Sequence, residues 1–358
     1  MTAALDRQSA FTGTRPIAPA YRIDLRRLEE FMKTAVAEFR GPLAAEQFRG
    51  GQSNPTYKLV SPSGQYVLRR KPPGKLLPSA HAVDREYRVI AALDCVGFPV
   101  PHPYCYCADE AVIGSPFYIM DFVTGRVFWE PWAPGIDGQE RNRLFDDLNA
   151  AITRLHRFDP AALGLSDFGK PQAYVARQIR RWSEQYRASA SRSIREMERL
   201  IEWLPQACPV EASAAIVHGD FRLDNCIIAP DSPRVIAVLD WELSTLGDPL
   251  ADFTYHLMPW FMPKTAAGIG TLKGHEHDAG VPAFDHYVAA YCDRTGRNGI
   301  PHLDFYFAYN FFRLAAILQG IVGRVRDGTA VNANAAAMAA QVLPLARTAL
   351  TFARKAGA

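Results

Sequence analysis

The sequence lacks the features that mark secreted and membrane-spanning proteins. Its six cysteines are scattered over 358 residues and form no Cys-x-x-Cys pair, so neither a disulfide framework nor a common zinc motif is indicated. No uninterrupted apolar run reaches the ~18 residues of a membrane span. Residues 1–20 also lack the basic and then apolar order of a secretory signal. We therefore expect a cytoplasmic protein without a membrane partner.

Strong charge and low complexity are also absent. The chain has 40 basic and 37 acidic residues, a formal net charge of +3, which gives no support to nucleic acid as a partner. Its 25 glycines and 26 prolines together make up a share of the 358 residues that is well below the roughly 25–30% typical of low-complexity chains. With 48% apolar or aromatic residues, the sequence indicates a globular protein with a large core.

The order of strand and helix patterns predicts an α+β protein with a small mixed lobe followed by a larger, mainly helical lobe. Residues 1–23 show no periodicity and predict a flexible tail, residues 24–122 the N-terminal lobe and residues 123–358 the C-terminal lobe. Turn formers at 61–64 separate two alternating runs and predict a β-hairpin. Apolar residues at three- and four-residue spacing predict helices near 83–93, 139–156, 172–189, 192–203, 281–293, 303–323 and 331–354.

The most informative stretch, residues 216–228, reads Ile-Val-His-Gly-Asp-Phe-Arg-Leu-Asp-Asn-Cys-Ile-Ile. A polar loop carrying Asp220 and Asn225 lies between two apolar strands, and a later apolar strand ends directly before Asp240. Carboxylate and amide oxygens are the ligands that a hard divalent cation prefers, alongside phosphate oxygens. We expect these three side chains to converge, although a cluster of turn formers between strands is the alternative.

This pattern, His-Gly-Asp-x-x-x-x-Asn with a downstream aspartate, resembles the aminoglycoside phosphotransferase (APH) and choline kinase-like family. The resemblance implies a bilobal protein-kinase-like fold, with ATP and Mg²⁺ as cofactors and a small-molecule hydroxyl as phosphoryl acceptor. It further implies that Asp220 accepts the proton of that hydroxyl and that His218 braces the loop. By the same resemblance, Asn225 and Asp240 hold Mg²⁺ on the phosphates of ATP.

The resemblance also assigns nucleotide binding to the N-terminal lobe. Its glycine-rich segment would lie over the phosphates, with a plain hairpin turn as the alternative. Strand alternation places Arg69 where the family often has a phosphate-pairing lysine, and Lys71 is the alternative on the same face. Glu86, on the next helix, fits as the partner of this cation unless that helix face is solvated. The predicted nucleotide-binding residues are Gly50, Gly51, Ser53, Asn54, Arg69, Glu86 and, at the hinge strand, Asp121, Phe122 and Val123.

Several residues near the metal motif receive supporting roles. Trp241 and Glu242 replace the phenylalanine and glycine of the kinase Asp-Phe-Gly motif. Asp248 is expected to brace the catalytic loop through backbone hydrogen bonds. Asp252 and Asp224 are interpreted as structural.

Charge gives a first indication of the acceptor. Residues 170–199 contain eight lysines or arginines against three glutamates. A pocket shaped by this segment would favour an anionic or phosphate-bearing acceptor over a polycationic aminoglycoside. Ordinary exposed helix faces are the alternative. Arg313, Gln319 and Arg324 are the candidate acceptor contacts.

A narrower resemblance points the same way. Segments 50–57, 69–88 and 239–249 resemble the kinase-like domain of the acyl-CoA dehydrogenase 10/11-like group. The group is similar to kinases that phosphorylate 4-hydroxyacyl-CoA thioesters, so the resemblance implies a 4-hydroxyacyl-CoA as acceptor. It also implies a separate acyl-CoA dehydrogenase in the same pathway. The alternatives are a kinase of an aminoglycoside, choline-like or sugar-alcohol acceptor, and a nucleotide-binding pseudokinase module.

Overall fold

The computed structural model describes residues 12–49, 54–72, 82–190, 192–211, 213–264, 270–327 and 335–358. Contacts divide the chain into two compact units. The smaller unit comprises Met1–Trp129, Leu163–Leu165 and Asn225–Ser244. The larger unit comprises Glu130–Ala162, Ser166–Asp224 and Thr245–Ala358.

The helices and strands alternate in the first part of the chain, and helices predominate later. In chain order the elements up to residue 129 are β1 (Thr14–Arg15), α1 (Leu25–Ala35), β2 (Ala44–Phe48), β3 (Thr56–Ser61), β4 (Gly64–Arg70), α2 (Val83–Asp94), β5 (Pro103–Cys107), α3 (Glu110–Ile113) and β6 (Phe117–Asp121). The later elements are α4 (Gly138–Arg157), α5 (Tyr174–Ser189), α6 (Arg195–Ala207), β7 (Ala215–Val217), β8 (Cys226–Ile228), β9 (Val235–Val238), β10 (Thr245–Gly247), α7 (Pro249–His256), α8 (Phe284–Thr295), α9 (Leu303–Arg326) and α10 (Ala335–Lys355).

The smaller unit is built on a six-stranded antiparallel sheet in the order β1-β2-β3-β4-β6-β5. The predicted hairpin is confirmed: β3 pairs with β4, with Ser61 opposite Gly64 across the turn. Alternation along β3 buries Tyr57 and Leu59 on the side where α1 packs. Helix α1 is capped by Asp24, whose side chain accepts hydrogen bonds from the Arg26 and Arg27 N–H groups.

The described part of the predicted tail is structured, which corrects that prediction for residues 12–23. Strand β1 pairs with β2 at the sheet edge. The Tyr57 hydroxyl donates to the Tyr21 carbonyl at 2.7 Å, and Ile17 and Ile23 pack against the core of the smaller unit. The segment lacks helical periodicity because it lies along a sheet and contributes isolated apolar side chains.

The chain returns to the smaller unit after residue 224. Strands β8 and β9 form an antiparallel pair there, with Cys226 opposite Val238. The Val238 N–H donates to the Pro99 carbonyl at 2.8 Å. The smaller unit therefore includes a segment that lies beyond the boundary predicted at residues 122 and 123.

The larger unit packs its helices around α9. This helix is buried along most of its length and packs against α5, α7 and α10. Helices α9 and α10 are long and apolar enough to cross a membrane by length and composition, with 83% and 39% of their most apolar windows buried. The burial of α9 is typical of a core helix. The short pair β7 and β10 completes this unit.

Candidate active site

The two predicted metal ligands lie at the same end of the β8–β9 pair. Asn225 precedes β8 and Asp240 follows β9, and antiparallel pairing brings these strand ends together. The Leu239 N–H donates to the Asn225 carbonyl at 2.8 Å, which links the two backbones one residue before Asp240. An amide oxygen and a carboxylate here form a donor set that fits Mg²⁺, whose remaining positions are usually filled by phosphate oxygens and water.

The backbone at Asp240 is unusual. Its φ of 65° lies in the left-handed region, which aspartate tolerates better than most residues. The next residue, Trp241, anchors this conformation because its indole N–H donates to the Val238 carbonyl at 2.9 Å and its ring packs against Phe98. Trp241 is 1% exposed. The orientation of the Asp240 carboxylate is therefore set by a fixed turn.

Arg69, on β4, is the cation beside Asp240. Its guanidinium contacts Asp240 Oδ1 at 2.6 Å, Glu86 Oε2 at 2.8 Å and, more distantly, Glu242 Oε2 at 3.5 Å. Burial alone would lower the pKa of Arg69, but the carboxylates of Asp240 and Glu86 raise it, so the guanidinium stays charged. Lys71 lies just beyond the end of β4.

Glu86 is a buried anchor and not part of a solvated helix face. Only 1% of the residue is exposed, and it accepts hydrogen bonds from the Asn54 amide at 2.7 Å and the Tyr118 hydroxyl at 3.1 Å. Burial raises the pKa of Glu86, against the lowering effect of Arg69. The alternation and spacing that suggested Arg69 and Glu86 did not reveal Tyr118, which reaches Glu86 from the neighbouring strand β6.

Other predicted nucleotide-binding residues are only partly described. Gly50, Gly51 and Ser53 lie outside the described residues. At the predicted hinge, the Asp121 N–H donates to the His102 carbonyl at 2.9 Å and the Phe122 N–H to the Gln65 carbonyl at 3.4 Å. These bonds lie at the end of the sheet and occupy both N–H groups, so an adenine ring here would depend on the hinge carbonyls and on the backbone at Val123.

The catalytic loop begins in the larger unit at His218, directly after the buried strand β7 ends at Val217. Gly219 has a φ of 84°, a conformation that glycine adopts without strain. The His218 and Gly219 N–H groups both donate to the Asp252 carboxylate at 2.8 Å, and His156 Nε2 contacts the same carboxylate at 3.1 Å. Burial would raise the pKa of Asp252, but the bond from His156 and those from the loop lower it.

The bracing role predicted for Asp248 is corrected by this geometry. Asp248 caps α7 by accepting from the Leu250 N–H at 2.8 Å, and it accepts the Tyr306 hydroxyl at 2.5 Å. Asp252 makes the bonds to the catalytic loop instead. The reason is helical geometry, since Asp252 lies one turn further along α7 and faces the loop, whereas Asp248 satisfies the helix N-terminus.

Asp220 follows in the same loop. Its N–H donates to His218 Nδ1 at 3.2 Å, and its carboxylate pairs with Arg222 at 2.9 Å. Asp224, with a side chain 6% exposed, also contacts Arg222, at 3.5 Å, in keeping with a structural role. Asp220 and Asp224 belong to the larger unit, and Asn225 and Asp240 to the smaller one. The predicted convergence of all three site oxygens therefore stays a prediction.

Two of the predicted acceptor contacts serve other purposes. Arg313, 5% exposed, donates to the Gly219 carbonyl at 2.8 Å and so braces the catalytic loop. Gln319 donates to the Ser189 carbonyl at 3.1 Å where α9 packs on α5. Both residues lie on the buried part of helix α9, and contact of either one with an acceptor stays a prediction. Arg324, near the end of α9, is exposed.

A buried histidine beside this loop predicts a pH dependence of stability. The His256 ring contacts the Tyr287 hydroxyl at 2.7 Å, and burial lowers its pKa to about 4. Below about pH 6.5, His256 binds a proton in the unfolded chain but not in the folded chain. The free energy of unfolding therefore decreases as the pH falls. Between about pH 7 and pH 4, wild type should lose about 3 kcal/mol more unfolding free energy than His256→Gln.

Urea unfolding at a series of pH values measures this difference. The exposed His277 provides the control, since His277→Gln should follow the wild-type curve. Parallel curves for wild type and His256→Gln would show that His256 does not carry the effect.

Comparison with known proteins assigns the chain to a protein family. A model of the phosphotransferase enzyme family, APH, matches residues 44–306. The chain is 41% identical over 346 residues to acyl-CoA dehydrogenase family member 10 of Mus musculus, and 40% identical over 348 residues to family member 11 of Rattus norvegicus. These alignments cover 96% of this chain but 32% and 45% of the two relatives. The chain thus spans less than half the length of either relative.

A solved structure gives the same result for the fold. A protein from Ralstonia eutropha JMP134, provisionally assigned as an aminoglycoside phosphotransferase, superposes with a TM-score of 0.83 at 46% sequence identity. The superposition covers 93% of this chain and 99% of that protein. The predicted α+β, bilobal protein-kinase-like fold is therefore confirmed.

Proposed function

The chain belongs to the APH phosphotransferase enzyme family and is a small-molecule phosphotransferase, and from this premise we propose that it phosphorylates a hydroxyl of a 4-hydroxyacyl-CoA, using ATP and Mg²⁺. The observation that carries the nucleotide part of the proposal is the cluster in the smaller unit. There the cation Arg69 lies between the Asp240 carboxylate and the buried Glu86. The arrangement would thus place the metal ligand Asp240 next to Arg69, the cation that would pair with the phosphates.

Each residue has a distinct task in this proposal. Asn225 and Asp240 would hold Mg²⁺, which when bound neutralises charge on the phosphate oxygens. Arg69 would exchange its contact with Asp240 for a phosphate oxygen while Glu86 keeps its guanidinium in place. Asp220 would orient the acceptor hydroxyl and take its proton. Asp252 keeps the loop that carries Asp220 rigid.

The acceptor class rests on two observations. The relatives that match this chain over 96% of its length are named as members 10 and 11 of the acyl-CoA dehydrogenase family. The larger unit also presents a cationic surface, since arginines of α5, α6 and the connecting residues are exposed: Arg180, Arg181, Arg187, Arg192, Arg195 and Arg199. Coenzyme A carries several phosphates, which such a surface would attract.

A panel of acceptors tests the proposal. Formation of ADP would be measured with a 4-hydroxyacyl-CoA, the matching free 4-hydroxy acid, choline, a sugar alcohol and an aminoglycoside. We expect the highest kcat/KM for the thioester, and a KM for it that increases with salt because its phosphates are recognised by charge. Equal kcat/KM for the free acid would remove coenzyme A from the proposal. A preference for the aminoglycoside would instead favour the assignment given to the Ralstonia protein.

A further inference from the structure

Arg222 lies two residues after Asp220 in the catalytic loop. Its guanidinium contacts both oxygens of the Asp220 carboxylate. Arg222 Nε contacts Asp220 Oδ1 at 2.9 Å, and Arg222 Nη2 contacts Asp220 Oδ2 at 3.3 Å. Arg222 Nη2 donates a hydrogen bond to one carboxylate oxygen while Nε lies in ionic contact with the other, and the two contacts together restrict the rotation of the carboxylate. The side chains of Arg222 and Asp220 are each only 18% exposed.

A second side chain also contacts Asp220. The Tyr255 hydroxyl forms a side-chain hydrogen bond with Asp220, and burial followed by the Asp220 charge raises the pKa of Tyr255, so the phenol stays protonated. Arg313 lies over the Tyr255 ring at 5.0 Å and donates to the Gly219 carbonyl. Asp220 is therefore held by a cation on its own loop and by a phenol that a second cation supports.

From this geometry we propose that Arg222 is a positioning residue for phosphoryl transfer, which holds the Asp220 carboxylate in the orientation that receives the proton of the acceptor hydroxyl. The inference rests on the proposed function. In the transfer, the acceptor oxygen forms a bond to the γ-phosphorus of ATP. The bond from that phosphorus to the β–γ bridging oxygen breaks, and its electron pair leaves with ADP. The acceptor proton passes to Asp220.

Asp224 completes the charge balance of this arrangement. Before the transfer, Arg222 lies between two carboxylates, since Asp224 Oδ2 is 3.5 Å from Arg222 Nη1. When Asp220 takes up the proton, its negative charge is lost. Asp224 then remains as the counter-charge of Arg222, so the guanidinium is not left unpaired at low exposure. The alternation of Asp220, Arg222 and Asp224 along the loop supplies both carboxylates.

The experiment compares kcat and the KM for Mg·ATP in Arg222→Gln and Arg222→Lys. We expect Arg222→Gln to lower kcat about tenfold to 100-fold, with a KM for Mg·ATP that stays within about threefold. Arg222→Lys should recover part of kcat, because lysine keeps the charge but cannot contact both oxygens in the same fork. Arg347→Gln, which breaks an exposed ion pair with Glu196, is the control and should keep wild-type kcat.

Rescue of kcat by added guanidinium distinguishes the loss of a positioning contact from a general loss of structure. In Arg222→Ala, low millimolar guanidinium chloride should increase kcat, whereas it should not do so in Asp220→Asn. Wild-type kcat in Arg222→Gln would overturn the inference. It would also be overturned if the loss of kcat paralleled a fall in melting temperature and guanidinium did not restore kcat in Arg222→Ala. If wild type transfers phosphate to none of the acceptors, the proposed function fails first and the inference falls with it.

Discussion

Replacing Asp220 with asparagine is expected to lower kcat about 10²- to 10⁴-fold, the usual contribution of a positioned general base. Asparagine has nearly the same shape but cannot accept the acceptor proton. The affinity for Mg·ATP should stay within about threefold, because Asp220 belongs to the larger unit and the Arg69 cluster to the smaller one. Steady-state ADP formation and titration calorimetry with Mg·ATP measure the two effects separately.

Asp224→Asn is the matched control for this substitution. It makes the same chemical change in the same loop, four residues away, at a carboxylate that forms an ion pair with Arg222. We expect it to reduce kcat less than tenfold. Equal losses in Asp220→Asn and Asp224→Asn would contradict the assignment of Asp220 as the base.

The second large effect is expected from Asp240→Ala, which should weaken the binding of Mg·ATP about tenfold to 100-fold. The change removes a carboxylate that would hold the metal. It also leaves Arg69 paired with Glu86 and Glu242 alone, in a less defined position. Titration calorimetry with Mg·ATP measures the loss, and turnover should fall at subsaturating ATP.

Asp94→Ala controls for the loss of an aspartate from the same unit. Asp94 pairs with His102 and is 31% exposed, similar to Asp240 at 33%. Its ion pair is with His102 and not with Arg69, whose partners are Glu86, Asp240 and Glu242, and we expect unchanged affinity for Mg·ATP. If Asp220→Asn and Asp240→Ala lose nucleotide binding equally, the division of roles between the two carboxylates is wrong.

Local patterns were sufficient to predict much of the fold. The hairpin of β3 and β4 follows from alternation around a turn, and the same alternation selected Arg69. Strand β2 escaped prediction because its sequence, Ala-Ala-Glu-Gln-Phe, has no β-branched residue and is held by its neighbours in the sheet. Strand β1 has two residues, too few for any periodic pattern.

Long-range packing explains what the sequence could not predict. The return of 225–244 to the smaller unit depends on contacts such as that between Val238 and Pro99. The choice between Asp248 and Asp252 as the brace of the loop depends on which side of α7 faces β7. The contacts to Asp220 come from Arg222, two positions after it, and from Tyr255, 35 positions after it. None of these relationships follows from residue spacing.

In the proposed site, Asn225 and Asp240 would hold a divalent cation together with a triphosphate. Calorimetric titration of the wild-type chain with ATP, first with excess Mg²⁺ and then with the metal chelated, tests this directly. We predict saturable binding of one nucleotide per chain with Mg²⁺ and a loss of most of that affinity without it. Binding that is equally strong in both titrations, or absent from both, would contradict the assignment of this site.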